Sequence, residues 1–247
     1  TSSVQRHGKF IYANYDCTLP FCSDANFLTI FNEYLDNHQI DLIFTTHDTI
    51  ALYLAEHKNQ LHAKIVQEDV QTMRICRSKI LTHNTFIECD FIPQRYSNME
   101  EVVLPAFVKP DEGEGSHGAF RCDEIMQLAN IDFSKFLITE YLPGKEYTVD
   151  CFTDRNGILS YVSPRTRDSV FGGITSSGRT IQVTDEIQHI AECINNKLSF
   201  LGLWYFQLRE DKNGRLKLME ISARCAGTMC MTRAKGVNLP LLTVYAA

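Results

Sequence analysis

The sequence has no surplus of basic residues: 24 Lys and Arg stand against 30 Asp and Glu, a net charge of −6. No Lys/Arg run is concentrated anywhere, so the electrostatic footprint of a nucleic-acid binder is missing. No segment is long and apolar enough to cross a bilayer, and the first residues lack a signal-peptide pattern, so no membrane contact is expected. The nine cysteines include no CxxC pair and no His at zinc spacing, which excludes the common structural zinc sites. Scattered through apolar surroundings, they read as buried free thiols in a reducing compartment, and a cytoplasmic location is expected. A Walker loop, tandem repeats, low-complexity stretches and any convincing nucleophile triad are also lacking.

What is present is an ordinary globular composition, 44% hydrophobic and 22% charged, on 247 residues. That length carries one large domain or two smaller ones. Both ends read as cut: strand-like Phe10-Ile11-Tyr12-Ala13 comes almost at once, and the chain stops in the apolar run Leu241 to Ala247. The first third alternates strand and helix. A helix is predicted over 26–38 with Asp24 as N-cap, then a strand at 41–45, a helix over 48–57, a strand at 63–66, and helical stretches at 68–74 and 78–82. This alternation implies parallel βαβ packing. From about residue 85 short strands are punctuated by turn signals, with one clear helix at 185–200 behind a Thr184-Asp185-Glu186 cap region, so a mostly antiparallel α+β module follows the α/β module.

Two strand candidates, Gly202–Arg209 and Leu216–Arg224, flank Asn213-Gly214, the strongest short hairpin signal. A two-residue turn pairs Gln207 with Glu220, and alternation puts Glu220, Ser222 and Arg224 on one face. Oxygen ligands beside a guanidinium suit magnesium and the phosphate it carries. A plain amphipathic hairpin is the alternative, and a three-residue loop would set Met219 opposite Gln207 instead.

Strand Ala106-Phe107-Val108-Lys109-Pro110 ends in a lysine and runs into a loop with Gly113, Gly115, Ser116 and Gly118. Loop amides can close on phosphate oxygens with Lys109 behind them, though a solvent-exposed loop explains the glycines too. A lysine in an apolar strand needs a partner. Ile138 to Glu146 is a strand ending at Pro143-Gly144, whose free backbone groups can meet an adenine edge. Glu140 and Glu146 could there accept from an amine and from ribose hydroxyls, or be surface glutamates. Arg165, Arg167 and Arg179 are candidates for an acceptor carboxylate or an acyl phosphate, or are solvated surface arginines.

In order, Lys79 with its flanks, Phe107 to Pro110 with the glycine loop, Glu140 to Glu146, Phe206-Gln207-Leu208, Met219 to Arg224 and Gly236 to Pro240 resemble the ATP-grasp superfamily over roughly 40–247, nearest its carbamoyl-phosphate-synthase-like branch. The resemblance implies a partial, Rossmann-like pre-ATP-grasp domain at 1–82, then an ATP-grasp domain at 83–247 with antiparallel sheets and subdomains at about 83–140 and 141–247. It further implies that Lys79 and Lys109 hold phosphates, that Gly115 and Ser116 belong to the loop closing on them, and that Glu140 faces the adenine amine. The Tyr141–Leu142 backbone would be the hinge, Glu146 would sit on the ribose, and Phe107 and Met219 would sandwich the base, unless these two are plain core. Gln207, Glu220 and Ser222 would be the magnesium ligands, and Arg224 would steady the transferred phosphoryl group.

This chain departs from the family pattern in two places. Ser222 stands where the family has Asn, and Glu112 and Glu114 bring negative charge to the phosphate loop. The implied chemistry is ATP- and Mg2+-dependent ligation, in which a carboxylate becomes an acyl phosphate and an amine or similar nucleophile displaces the phosphate. The expected partners are therefore a small-molecule carboxylate and a nucleophile, with a homodimer left open. Two other readings stay open: a bicarbonate-activating, carbamoyl-phosphate or carboxylase-type subunit, and a catalytically weak ATP-binding regulatory module.

Overall fold

The computed structural model describes residues 19–67, 69–113 and 115–247. The strand expected at 10–13, together with Cys17, Glu68 and Glu114, lies outside the described residues. Helix α1 (Phe27–Asn37) buries Phe27, Phe31 and Leu35, one face at helical spacing. Its cap residue is Asn26, without a side-chain bond, not the expected Asp24. Asp24 stands too far upstream, and its carboxylate accepts the Phe21 N–H instead, closing the preceding turn. Strands β1 (Leu42–Ile43) and β2 (Lys64–Ile65) pair in parallel across helix α2 (Asp48–Glu56), the predicted βαβ unit.

Helix α3 (Val70–Arg77) is capped by Asp69, which accepts from the Thr72 N–H. Helix α4 (Lys79–Thr85) is capped by Ser78. The Ser78 hydroxyl also donates to the Asp111 carboxylate at 2.8 Å, and the Ile80 N–H donates to the same group at 2.8 Å. Asp111 directly follows strand β3 (Ala106–Pro110), so these bonds pin the start of α4, and with it Lys79, to the strand that carries Lys109.

Strands β4 (Phe120–Cys122) and β5 (Phe136–Glu140) flank β3 in an antiparallel sheet of order β4-β3-β5. Ala106, Val108 and Ile138 turn one face into a small core with Leu128, which leaves Phe107 and Lys109 to the other face.

The second sheet has the order β11-β10-β6-β7, built from β6 (Glu146–Thr153), β7 (Leu159–Thr166), β10 (Gly202–Glu210) and β11 (Leu216–Ser222). Between β7 and β10 come a small hairpin, β8 (Ser169–Phe171) and β9 (Ile174–Ser177), and helix α5 (Asp185–Lys197). Thr184 caps α5 by accepting the Ile187 N–H, as its sequence suggested. Ile187, Ile190, Ala191 and Ile194 of α5 share one core with Val149, Cys151, Phe206, Leu208 and Ile221 of the sheet and with the apolar faces of α1 and α2. Trp204 is fully buried in it, stacked on Phe200 at 4.2 Å and satisfied by a bond from its indole N–H to the Thr153 hydroxyl. Short helices α6 (Cys230–Ala234) and α7 (Leu239–Ala246) end the chain.

Strand alternation leaves Thr148, Asp150, Arg165, Tyr205, Gln207, Glu220 and Ser222 on the opposite, polar face. No helix among the described residues is long and apolar enough to cross a membrane. Every described cysteine is a free thiol; Cys122 and Cys151 are buried as expected, whereas Cys230 is exposed.

The β10–β11 hairpin corrects one expectation and keeps another. Its turn has three residues, not two: Glu210 pairs with Leu216, the Asp211 N–H donates to the Arg215 carbonyl at 2.9 Å, and Lys212, Asn213 and Gly214 lie between, with the Gly214 N–H on the Asp211 carbonyl and Gly214 at φ +79°. That register alone would set Met219 opposite Gln207. A β-bulge at Met219 absorbs the extra residue, so Leu208 faces Leu218 while Gln207 faces Glu220.

Candidate active site

The two sheets face each other across a cleft. A cavity of about 650 Å³ lies against the polar face of the four-stranded sheet, and an adjoining one of about 150 Å³ runs beneath β3. Lys79, Gln207 and Glu220 line both, so the two share the same floor and wall.

Lys109 crosses the cleft. Its ammonium donates at 3.1 Å to the carbonyl of Met219, the residue that the bulge leaves without a cross-strand partner. Lys109 is buried, and this pushes its pKa down to about 8, with the Lys79 charge adding to the shift and Glu220 and Glu146 opposing it. Lys79, the first residue of α4, donates to the carbonyls of Asp111 and Gly113 at 3.1 and 2.8 Å. Burial lowers its pKa as well. Among the described residues neither lysine is ion-paired to a carboxylate, and both ammonium groups are held only by backbone carbonyls.

Opposite the lysines, Gln207 and Glu220 stand side by side in register, and neither side chain has a hydrogen bond or ion pair among the described residues. No group of three His, Cys, Asp or Glu gathers into a protein-only metal cage among those residues. The donor set fits magnesium nonetheless, because that ion keeps several waters and takes substrate phosphate oxygens beside one or two carboxylates. Ser222 lines the larger cavity, and its hydroxyl donates to Asp48 Oδ1 at 2.9 Å. Arg224 lies just beyond the end of β11 yet still lines that cavity; its Nε and Nη2 contact Asp48 Oδ2 at 2.8 and 2.7 Å. Asp48 opens helix α2 and was not singled out in the sequence. A contact spanning 174 residues leaves no local signal.

The structure separates the three arginines considered for an acceptor. Arg165 is buried at the far side of the larger cavity, ion-paired to the fully buried Asp150, with its Nε on the Thr228 hydroxyl. Arg167 lines both cavities and pairs with Glu146 at 2.7 Å. Arg179 belongs to neither: it lies two residues beyond the end of β9, is exposed and sits 3.5 Å from Asp168.

The glycine loop does line the cavities, through Gly113, Gly115, Ser116 and His117, while Glu112 is exposed and lines none of them. The loop is roofed by the β8–β9 tip. A Cβ on Gly173 would stand 2.7 Å from Gly115 Cα, so only glycine lets the two loops meet this closely. Arg167 steadies the tip by donating to the Gly173 carbonyl at 3.0 Å.

Beyond Phe107 and Met219 lies a small recess lined by Glu140, Tyr141, Leu142 and Arg209. Fewer backbone groups are open here than the sequence suggested. The Tyr141 N–H is already given to the Pro105 carbonyl, whereas the Leu142 N–H and Tyr141 carbonyl have no partner among the described residues. Glu140 accepts the Gln94 N–H with one oxygen, leaving the other open. Glu146 carries two arginine contacts, from Arg167 and from Arg209 at 3.7 Å.

Residues 132–247 match the model of a family described as ATP-grasp in the biosynthetic pathway with Ter operon. The L-amino acid ligase of Bacillus licheniformis superimposes with a TM-score of 0.71 at 19% identity, over 92% of this chain and 61% of that one. Biotin carboxylase of Campylobacter jejuni, solved as a β,γ-ATP complex, gives 0.74 at 14% identity over 89% and 57%. N5-carboxyaminoimidazole synthetase of Staphylococcus aureus, solved with ADP, gives 0.65 at 16% identity over 80% and 58%. The chain thus spans about three fifths of the length of the solved structures it matches. No curated protein sequence matches it. Two sheets closing on a cleft lined by lysines and oxygen donors are the architecture this chain shares with those structures. The chain has the fold of these ATP-grasp structures, and its residues 132–247 match an ATP-grasp family model.

Proposed function

We propose that this chain carries the nucleotide centre of an ATP- and magnesium-dependent carboxylate–amine ligase. The observation that supports this most is the juxtaposition, across one shared cavity, of Lys79 and Lys109, which have no carboxylate partner among the described residues, with Gln207 and Glu220, whose side chains have no partner among them. In this reading the recess at Leu142 takes the adenine edge on a free N–H and a free carbonyl. The two ammonium groups grip the α- and β-phosphates under the Gly115–Gly173 roof, which keeps water out. Magnesium, held by Gln207 and Glu220 with Ser222 beside them, supplies charge neutralisation on the phosphate oxygens. Arg224 faces the terminal phosphoryl group from the acceptor side. A carboxylate oxygen bonds to the γ-phosphorus as the bond to the ADP oxygen breaks. An amine then attacks the acyl carbon, losing a proton, and inorganic phosphate leaves. No protein nucleophile is required, so positioning and cations carry the catalysis.

Calorimetric titration of ATP with and without magnesium tests the centre. Glu220→Ala is expected to remove most of the magnesium enhancement, by tenfold or more, since even groups that only orient a ligand are worth about 10–100-fold in metal affinity. Undiminished enhancement in that variant sinks the ligand assignment. Phosphate release with a panel of carboxylates and amines tests the reaction. Release that depends on bicarbonate alone would move the acceptor to bicarbonate, and binding without any release would favour the regulatory reading.

A further inference from the structure

Ser222 is a weak ligand by type. A hydroxyl carries one hydrogen and two lone pairs, and an untethered one rotates freely, so its lone pairs reach a cation only part of the time. Here the rotation is fixed. The hydroxyl hydrogen is spent on Asp48 Oδ1 at 2.9 Å, and the side chain is buried at the wall of the larger cavity, one pleat along the strand from Glu220. What Ser222 can then offer the cavity is acceptor capacity alone.

Asp48 is itself held on several sides. Arg224 approaches its Oδ2 with both Nε and Nη2, and the Arg224 guanidinium lies over the Tyr205 ring at 5.3 Å. Tyr205 stands opposite Ser222 in the strand register. Asp48 also occupies the first turn of α2, where the helix dipole favours a carboxylate. The charge is therefore fixed and aimed, from an element of the first third of the chain, at two side chains of β11 and its extension.

We propose that Asp48 is a positioning residue that makes Ser222 a metal ligand: the carboxylate takes the hydroxyl hydrogen, turns the oxygen lone pairs toward Glu220 and raises their basicity. A carboxylate behind a ligand orients it and strengthens it, as is general for groups hydrogen-bonded to metal ligands. Asp48 and Ser222 together then stand in for the single longer amide side chain. The same carboxylate fixes Arg224, so ligand and phosphoryl-side cation are set by one group. This inference rests on the magnesium-nucleotide reading above.

The test is calorimetric titration of the whole chain with ATP, in EDTA and in saturating magnesium, across a set of variants. Asp48→Asn also loosens Arg224, so the readout is the magnesium enhancement, the ratio of affinity in magnesium to affinity in EDTA, which is expected to fall about tenfold or more. Ser222→Ala, which leaves the Asp48–Arg224 pair intact, is expected to lose as much. The double variant should lose no more than either single one, and Ser222→Asn should restore the enhancement in the Asp48→Asn background. If Asp48 only fastens α2 to β11, Asp48→Asn lowers both affinities by the same factor, and the proposal falls. Should Asp48→Asn not fold, undiminished enhancement in Ser222→Ala overturns the proposal unaided. A parent protein whose ATP affinity ignores magnesium instead refutes the underlying site reading, which keeps the two failures apart.

Discussion

Arg165→Ala is expected to lower folding stability by about 3–5 kcal/mol, the usual cost of removing one partner from a buried ion pair. Arg165 and Asp150 are 1% and 0% exposed. Without the guanidinium, Asp150 keeps only the Thr232 hydroxyl at 2.7 Å, and its Oδ1 already lacks a partner. A carboxylate so placed cannot be resolvated without opening the sheet. Most of the loss should return in the double variant Arg165→Met, Asp150→Leu, since buried pairs are often replaceable by apolar residues at little cost. Urea denaturation of the three proteins decides it. A single-variant loss below about 1 kcal/mol would mean that water reaches this corner of the cavity and that the pair is not sealed.

ATP affinity is expected to decline as pH rises above about 8, and binding near that pH should take up a proton. The cause is Lys109, whose pKa burial pushes down to about 8, with the Lys79 charge adding to the shift. Polyphosphate needs the ammonium charged, so nucleotide binding must restore the proton that burial has loosened. For the nucleotide-free protein the sign is opposite. Between about 8 and the ordinary lysine value near 10.4, the unfolded chain holds a proton that the folded chain has released, so stability rises with pH through that window. Lys109→Ala should abolish the proton uptake and weaken ATP binding by about 1–3 kcal/mol, the worth of a charge-assisted hydrogen bond. Calorimetry in buffers of different ionisation enthalpy measures the uptake. Identical heats in all buffers at pH 8 would contradict the assignment of Lys109 to the phosphates.

Much of the cleft was legible because its residues sit on strands whose alternation fixes their face. Gln207, Glu220 and Ser222 needed only period-two counting from an Asn-Gly turn, and Lys109 stood out as a charge in an apolar run. Yet the Gln207–Glu220 register held for a reason the sequence did not display: a three-residue loop and a bulge at Met219 cancel. The bulged residue, invisible to pattern counting, also supplies the carbonyl that Lys109 meets. Loop residues fared less well. Arg179 follows a strand end, where alternation no longer governs direction, and it turned outward. The role of Gly173 depends on where a second loop arrives, and that of Asp48 on a contact between the first helix–strand unit and the last strand. Tertiary placement of this kind carries no sequence period. At Tyr141–Leu142 one backbone group expected to be open is already used, because the Tyr141 N–H goes to Pro105.

A crystal structure of the chain with a non-hydrolysable ATP analogue and manganese would examine the shared centre most directly. The metal's anomalous signal should sit within bonding distance of Glu220, the phosphates between the Lys79 and Lys109 ammonium groups, and the adenine edge on the Leu142 N–H. Nucleotide bound elsewhere, or metal density away from Glu220 with both lysines still on their backbone carbonyls, would show that these side chains share a cavity without sharing a ligand.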